Sequence, residues 1–169
     1  MMRRRIAFLG TLALAVSVTP DVFFAPSIAG LGAKASDEKV EIDKLPQKVF
    51  ATLKAKFPGA MITCATKATE NGEVIYDIEM KKDSHKHEMD AKEDGTIVNF
   101  ENEIAVKDLP AAVTNAVKAK YPNCTIKEGM EVMVIKDKKD VLEEYEVLIE
   151  TADKKEVELA VSLDGKKIH

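Results

Sequence analysis

The sequence predicts an α+β protein of two tandem repeats, each an N-terminal helix packed on one face of a four-stranded antiparallel sheet. Three observations predict it: the chain repeats itself at a spacing of 64 residues, an apolar period of four opens each copy, and a period of two comes after it. The shift lays Leu45-Pro46 on Leu109-Pro110, Val49 on Val113, Lys54-Ala55-Lys56 on Lys118-Ala119-Lys120, Pro58 on Pro122 and Ile62 on Ile126. Eight of the eighteen positions from Leu45 to Ile62 are identical, and Leu53/Val117 and Phe57/Tyr121 are conservative. Later the shift grows to 69 at Tyr76/Tyr145 and 70 at Asp94-Gly95/Asp164-Gly165, which places a five-residue extension between Ile126 and Tyr145. A unit of roughly sixty residues buries only about 60% of its unfolded surface, so the copies are expected to share a core or a sheet.

Residues 1–35 read as a signal peptide and leader, ahead of repeats over 36–104 and 105–169. Arg3, Arg4 and Arg5 precede an uncharged run of 13 residues from Ile6 to Val18 that is rich in Ala, Leu and Val. The run is shorter than the roughly 20 residues a membrane-crossing helix needs, and Pro20 and Asp21 end it. Ala33-Lys34-Ala35 offers small residues for a cut before Ser36, with Ser27-Ile28-Ala29 as an earlier site. The product is expected to be periplasmic or secreted, without a membrane anchor once the signal is cut.

In each copy the first element is a helix. Leu45, Val49, Leu53 and Phe57, matched by Leu109, Val113, Val117 and Tyr121, recur every four residues and so line one helical face. Pro58 and Pro122 stop the helices, while Asp43 and Asp108 lie near their starts, where a carboxylate can accept free backbone donors. Strands are expected at about 60–69, 73–82, 86–93 and 96–101, with the last strand of the second copy cut short. The clearest alternate Val74, Tyr76, Ile78 and Met80 with Ile75, Asp77, Glu79 and Lys81, and Tyr145, Val147 and Ile149 with Glu144, Glu146 and Leu148. Asn71-Gly72, Asp94-Gly95 and Asp164-Gly165 are tight-turn dipeptides suited to antiparallel hairpins.

A helix and a sheet that each have one apolar face bury them together, leaving the sheet's other face to solvent. That outer face would display Asp77, Glu79, Glu88, Asp90, Glu144, Glu146, Glu156 and Glu158, with Lys81, Lys86 and Lys92 interspersed. These eight carboxylates are the candidate partner-binding residues. Composition agrees: the whole chain has 25 basic and 29 acidic residues, and residues 36–169 keep 21 basic against 28 acidic. Such a surface favours basic proteins or cations and disfavours nucleic acid, whose phosphates need clustered Lys and Arg.

The Leu-Pro start, the helix ending in Lys-Ala-Lys-Phe-Pro-Gly or Lys-Ala-Lys-Tyr-Pro-Asn, the Tyr-centred strand and the Asp-Gly hairpin resemble the PepSY-like, beta-lactamase-inhibitor-like family over residues 42–168. The resemblance implies an exported, non-catalytic module of helix plus four-stranded antiparallel sheet, with relatives among peptidase propeptide domains and proteinaceous enzyme inhibitors. Inhibitors of this architecture grip enzymes through the exposed sheet and its loops, yet no inhibitory loop matches here residue by residue. The chain has no Trp and three Tyr, so the aromatic anchors of tight interfaces are scarce.

Other chemistries find less support. No nucleophile elbow, His-Glu-x-x-His helix or glycine-rich phosphate loop occurs, so neither catalysis nor a cofactor is expected. His85, His87, Glu88 and Asp90 form the densest set of potential ligands, but strand alternation turns His87 toward the apolar face and Glu88 and Asp90 away from it. Cys64 and Cys124 share the parity of inward-facing Ile62 and Ile126 and are read as two buried thiols, although export would permit a disulfide. Met130, Val132, Met133, Val134 and Ile135 read as the core of an extended strand or as an exposed contact hairpin. The leading expectation is a binding module that docks an envelope protein on its charged face, inhibiting or sensing it. The alternative is an envelope protein whose carboxylates respond weakly to a divalent cation, calcium or zinc.

Overall fold

The computed structural model describes residues 38–169. The expected signal segment, residues 1–35, lies outside the described residues. The chain opens with a two-residue strand, β1 (Glu38–Lys39), a 3-10 turn (Ile42–Lys44) and helix α1 (Gln47–Lys56). Strands β2 (Met61–Glu70), β3 (Glu73–Lys82), β4 (His85–Lys92) and β5 (Ile97–Ile104) come next. A second 3-10 turn (Val106–Asp108) leads into α2 (Ala111–Lys120), β6 (Thr125–Lys136), β7 (Lys139–Glu150) and β8 (Glu156–Ser162).

Both helices begin later than their apolar stripes. Proline disfavours the helical conformation in the residue before it, so Leu45 and Leu109 are extended, with ψ of 139° and 135°, and Pro46 and Pro110 take the N-cap positions. Asp43 and Asp108 do not cap the helices, as their sequence position suggested. Each sits in the preceding 3-10 turn, and neither helix has a side-chain cap. Stability comes from packing instead. Val49 and Leu53 are fully buried against Ile78, Met80, Met89, Ala91 and Phe100. Val113 and Val117 are buried against Tyr145, Val147, Ile149, Leu159 and Val161. Each fully buried side chain of this size contributes roughly 1.5–3 kcal/mol.

The hairpin turns derive from backbone sign. Asn71-Gly72, Asp83-Ser84 and Asp137-Lys138 all have positive φ at both central residues, the mirror-image turn that matches strand twist. Only the first of these carries an obvious turn dipeptide. Gly95 has another duty: its φ is +86°, and a Cβ there would lie 2.9 Å from the Lys48 carbonyl oxygen and from Thr52 Oγ1. Thr52 Oγ1 also donates to the Gly95 carbonyl at 3.0 Å, which ties the hairpin to α1. Gly165 occupies the same place under α2, against the Ala112 carbonyl. Gly95→Ala is therefore expected to cost about 2–4 kcal/mol, left-handed strain plus a backbone clash. Gly59→Ala, with φ +82° but open space around the added methyl, should cost only about 1–2 kcal/mol. Urea midpoints of the two variants separate strain from crowding.

The strands of both copies join in one antiparallel sheet of eight strands in the order β1 to β8, so that the copies share a sheet, one of the two arrangements expected from the small size of a single unit. The joint is β5, which pairs with β4 on one side and β6 on the other. The β5–β6 register repeats the β1–β2 register. Glu38 opposite Lys67 and Lys39 opposite Thr66 become Asn102 opposite Glu131 and Glu103 opposite Met130, each displaced by 64. Thus β5 closes the first half and also serves as the lead-in strand of the second. The second half adds three strands, and its fourth is reduced to a single bridge between Val161 and Ile168.

The extension after Ile126 lengthens the β6–β7 hairpin to twelve residues a side. Its far end reaches the first half: Met133 packs against that core, and Asp140 accepts from Lys56 Nζ at 2.6 Å. A β-bulge between Ile62 and Cys64 recurs between Ile126 and Glu128. It reverses the parity expected for Cys64, which stands opposite Glu79 on the sheet face away from the helices. Both cysteines are free and only half-buried.

Candidate functional site: a carboxylate face

On the face away from the helices, acidic residues stand directly opposite one another across successive strands. Asp77 on β3 faces Asp90 on β4, and Glu79, Glu88 and Glu101 form an unbroken row over β3, β4 and β5. Beyond β5 the rows run Glu101, Val132, Glu144, Ser162 and Glu103, Met130, Glu146, Ala160. Like charges directly opposite destabilise a sheet, so their accumulation marks a place where the fold gives way to another requirement.

Of the eight expected residues, Asp77, Glu79, Glu88, Asp90, Glu144, Glu146 and Glu158 lie half-buried on this face. Glu156 is exposed at the start of β8, opposite Glu150, away from the centre. The face is less wet than the alternation implied. Ala68, Ile75, Met130, Val132, Val134 and Ala160 are buried yet belong to neither helix-side core. They form an apolar floor between the carboxylates.

The centre is Glu101, which sequence reasoning did not single out. It is 8% exposed, and its Oε2 is buried without a hydrogen-bond partner. Burial pushes its carboxyl well above the usual range, and the charges of Glu88, Asp90, Glu158 and Asp77 add to the rise. Glu146 is likewise raised, first by burial, then by Glu101 and by its hydrogen bond with Glu158. Glu144 is raised by burial and by Glu143.

Basic and amide groups stand at the rim. Lys86 Nζ lies 3.1 Å from Glu88 Oε1 and 3.2 Å from Glu128 Oε2, and its backbone N–H donates to Glu103 Oε2 at 2.6 Å. Asn99 Nδ2 donates to Asp90 Oδ2 at 3.3 Å. The only local signal for Glu101 was its alternation with Phe100. Its depth comes from β5 being an interior strand of the merged sheet.

The histidines stand apart from this face. His87 packs its ring 5.2 Å from Phe57, and its Nδ1 pairs with Asn102 Oδ1 at 2.9 Å, on the helix side. His85 is exposed beside the Asp83 carbonyl. Among the described residues, no three His, Cys, Asp or Glu side chains converge as ligands for a metal ion. No described helix is long and apolar enough to cross a membrane.

The model of the beta-lactamase-inhibitor-like, PepSY-like family matches this chain at residues 32–99 and again at 76–169. No curated protein matches. Among solved structures, a DUF2874 family protein from Bacteroides uniformis is similar with a TM-score of 0.55 at 16% identity, over 73% of this chain and 88% of its own. A protein of Bacteroides eggerthii described as periplasmic gives 0.54 at 15% identity, over 73% and 87%. A BLIP-like protein from Bacteroides fragilis gives 0.49 at 23% identity, over 73% and 82%. The first two show a shared fold.

Proposed function

The chain belongs to the beta-lactamase-inhibitor-like, PepSY-like family, and we propose that it is an exported, non-catalytic binding module of the periplasm that docks a basic protein partner on its carboxylate face. The observation that carries this reading is the Glu79, Glu88, Glu101 row, three carboxyl groups held opposite one another at the middle of the sheet. Such a row presents a strongly acidic strip, to which a basic partner surface is electrostatically complementary. The reading takes the two halves as copies of one helix-plus-four-strand unit, the first closing at residue 104, with residues 1–35 removed on export. It includes no cofactor, no nucleic acid and no membrane contact after that cleavage.

Crosslinked capture from the source envelope tests it. The exported protein should retain a partner that is released by salt and lost when Asp77, Glu79, Glu88 and Asp90 are all changed to their amides. Capture of the same species by both forms would overturn the reading. Titration with calcium and zinc addresses the cation-responsive alternative: no saturable heat is expected, and a saturable one would favour that alternative.

A further inference from the structure

We infer that Asn71-Gly72, the turn joining β2 to β3, is a site of spontaneous chemical modification, at which the asparagine amide is lost through a cyclic imide and the backbone is left as a mixture of aspartate and isoaspartate. The step needs two groups, the side-chain carbonyl carbon of Asn71 and the backbone nitrogen of Gly72. Both residues are exposed, with φ of 50° and 84°, and a Cβ built on Gly72 would meet nothing within 4 Å. Glycine leaves that nitrogen without a side chain to hinder its approach. The chain's other asparagines, Asn99, Asn102, Asn115 and Asn123, precede Phe, Glu, Ala and Cys.

Asp94-Gly95 and Asp164-Gly165 carry the same atoms for ring closure, and the fold ties them down. The Gly95 N–H donates to the Lys92 carbonyl at 2.9 Å and the Gly165 N–H to the Ser162 carbonyl at 2.8 Å, so each attacking nitrogen is already engaged. Asp94 Oδ1 accepts from the Thr96 N–H at 2.9 Å, and Asp164 Oδ1 accepts from the Lys166 N–H at 3.0 Å and from Ser162 Oγ at 2.8 Å. These bonds hold both carboxyls below the usual range, as carboxylates, which are poor targets for a nitrogen nucleophile. Neither restraint acts on the first turn: among the described residues, no hydrogen bond engages the Asn71 amide or the Gly72 N–H.

The balance is that of amide hydrolysis. The Gly72 nitrogen gives its proton to solvent and bonds to Asn71 Cγ, while the Cγ–Nδ2 bond breaks and Nδ2 takes up a proton and leaves as ammonia. Water then opens the ring. Its attack at Cγ restores the original backbone with aspartate at position 71, whereas attack at the backbone carbonyl carbon breaks the bond to Gly72 and routes the chain through the side chain as isoaspartate. Nothing is oxidised or reduced. Either product places a new negative charge between Glu70 and Glu73, which stand opposite each other at the base of the turn. Isoaspartate also lengthens the backbone of a two-residue turn whose positive φ values match the strand twist.

The test is peptide mapping by mass spectrometry of the exported protein kept folded at pH 8, with ammonia release measured and isoaspartate labelled by an isoaspartyl methyltransferase. Asn71 should convert roughly tenfold or more faster than any other asparagine, with isoaspartate at position 71 and none at positions 94 and 164. In urea, where the Asp-Gly turns are released, isoaspartate should appear at positions 94 and 164 as well. Asn71→Gln, shown folded by circular dichroism, keeps an amide but needs a larger ring, and should abolish the rapid ammonia release. An Asn71 that persists in the folded protein and converts only in urea would overturn the site. Isoaspartate forming in the folded protein at position 94 or 164 as fast as at position 71 would overturn the argument from the turns' hydrogen bonds.

Discussion

Val49→Asp and Val113→Asp are each expected to unfold the protein, with a loss above about 4 kcal/mol. Both valines are 0% exposed, at the centre of a helix stripe pressed on the sheet. An aspartate there finds only Leu53, Ile78, Met89 and Phe100 in one half, or Val117, Val147 and Leu159 in the other. These neighbours are apolar, so the charge must be buried among them or the helix must leave. Glu146→Gln is expected to remain folded, because the amide matches the protonated acid in shape and cannot ionise among its acidic neighbours. Far-ultraviolet circular dichroism with urea titration distinguishes the three. Equal tolerance at all three would refute the assignment of faces.

Glu101→Gln is expected to stabilise the protein at neutral pH and to leave it unchanged near pH 4. A carboxyl whose pKa is raised by folding stays protonated in the native state where the unfolded chain has already ionised. Its favourable contribution is complete below the unfolded value, about 4.3, and is lost as pH rises toward the folded one, at about 1.4 kcal/mol per pH unit for each proton retained. Among the described residues, the carboxylates that bear on Glu101 all act in one direction: Asp77 on β3, Glu88 and Asp90 on β4, Glu146 on β7 and Glu158 on β8. Lys86, the base beside them, is held by Glu88 and Glu128. The wild-type melting temperature should therefore fall between pH 5 and pH 8, and the variant's should fall less. A difference of about 1–3 kcal/mol at pH 7 corresponds to several degrees. Asp94, Asp153, Asp164 and Glu150 are shifted the other way by hydrogen bonds and lysines, but they titrate below this window. Parallel curves for wild type and variant would refute the account of Glu101.

Much of the candidate site was legible before the structure. Alternation alone put Asp77, Glu79, Glu88, Asp90, Glu144, Glu146 and Glu158 on one face, and they share it. Alternation also separated His87 from Glu88 and Asp90. It failed at Cys64, where one bulged residue reverses the parity of the strand, and at Glu101, whose strand looked like the end of a repeat. It also described as solvated a face on which Met130, Val132 and Ala160 are buried.

The amino-acid order by itself determined the units of this protein: two helices with apolar stripes, strands with one apolar side, their turns, and a duplication that repeats them. Each of these is local, since the side of an element that must leave water is written in the spacing of its own residues. The tertiary structure decided how the units join. Which strand lies beside β5, how far the β6–β7 hairpin reaches, and how deep Glu101 sits depend on contacts between residues tens of positions apart. A carboxylate at the surface of one strand becomes a buried one when neighbouring strands bring their own acids toward it.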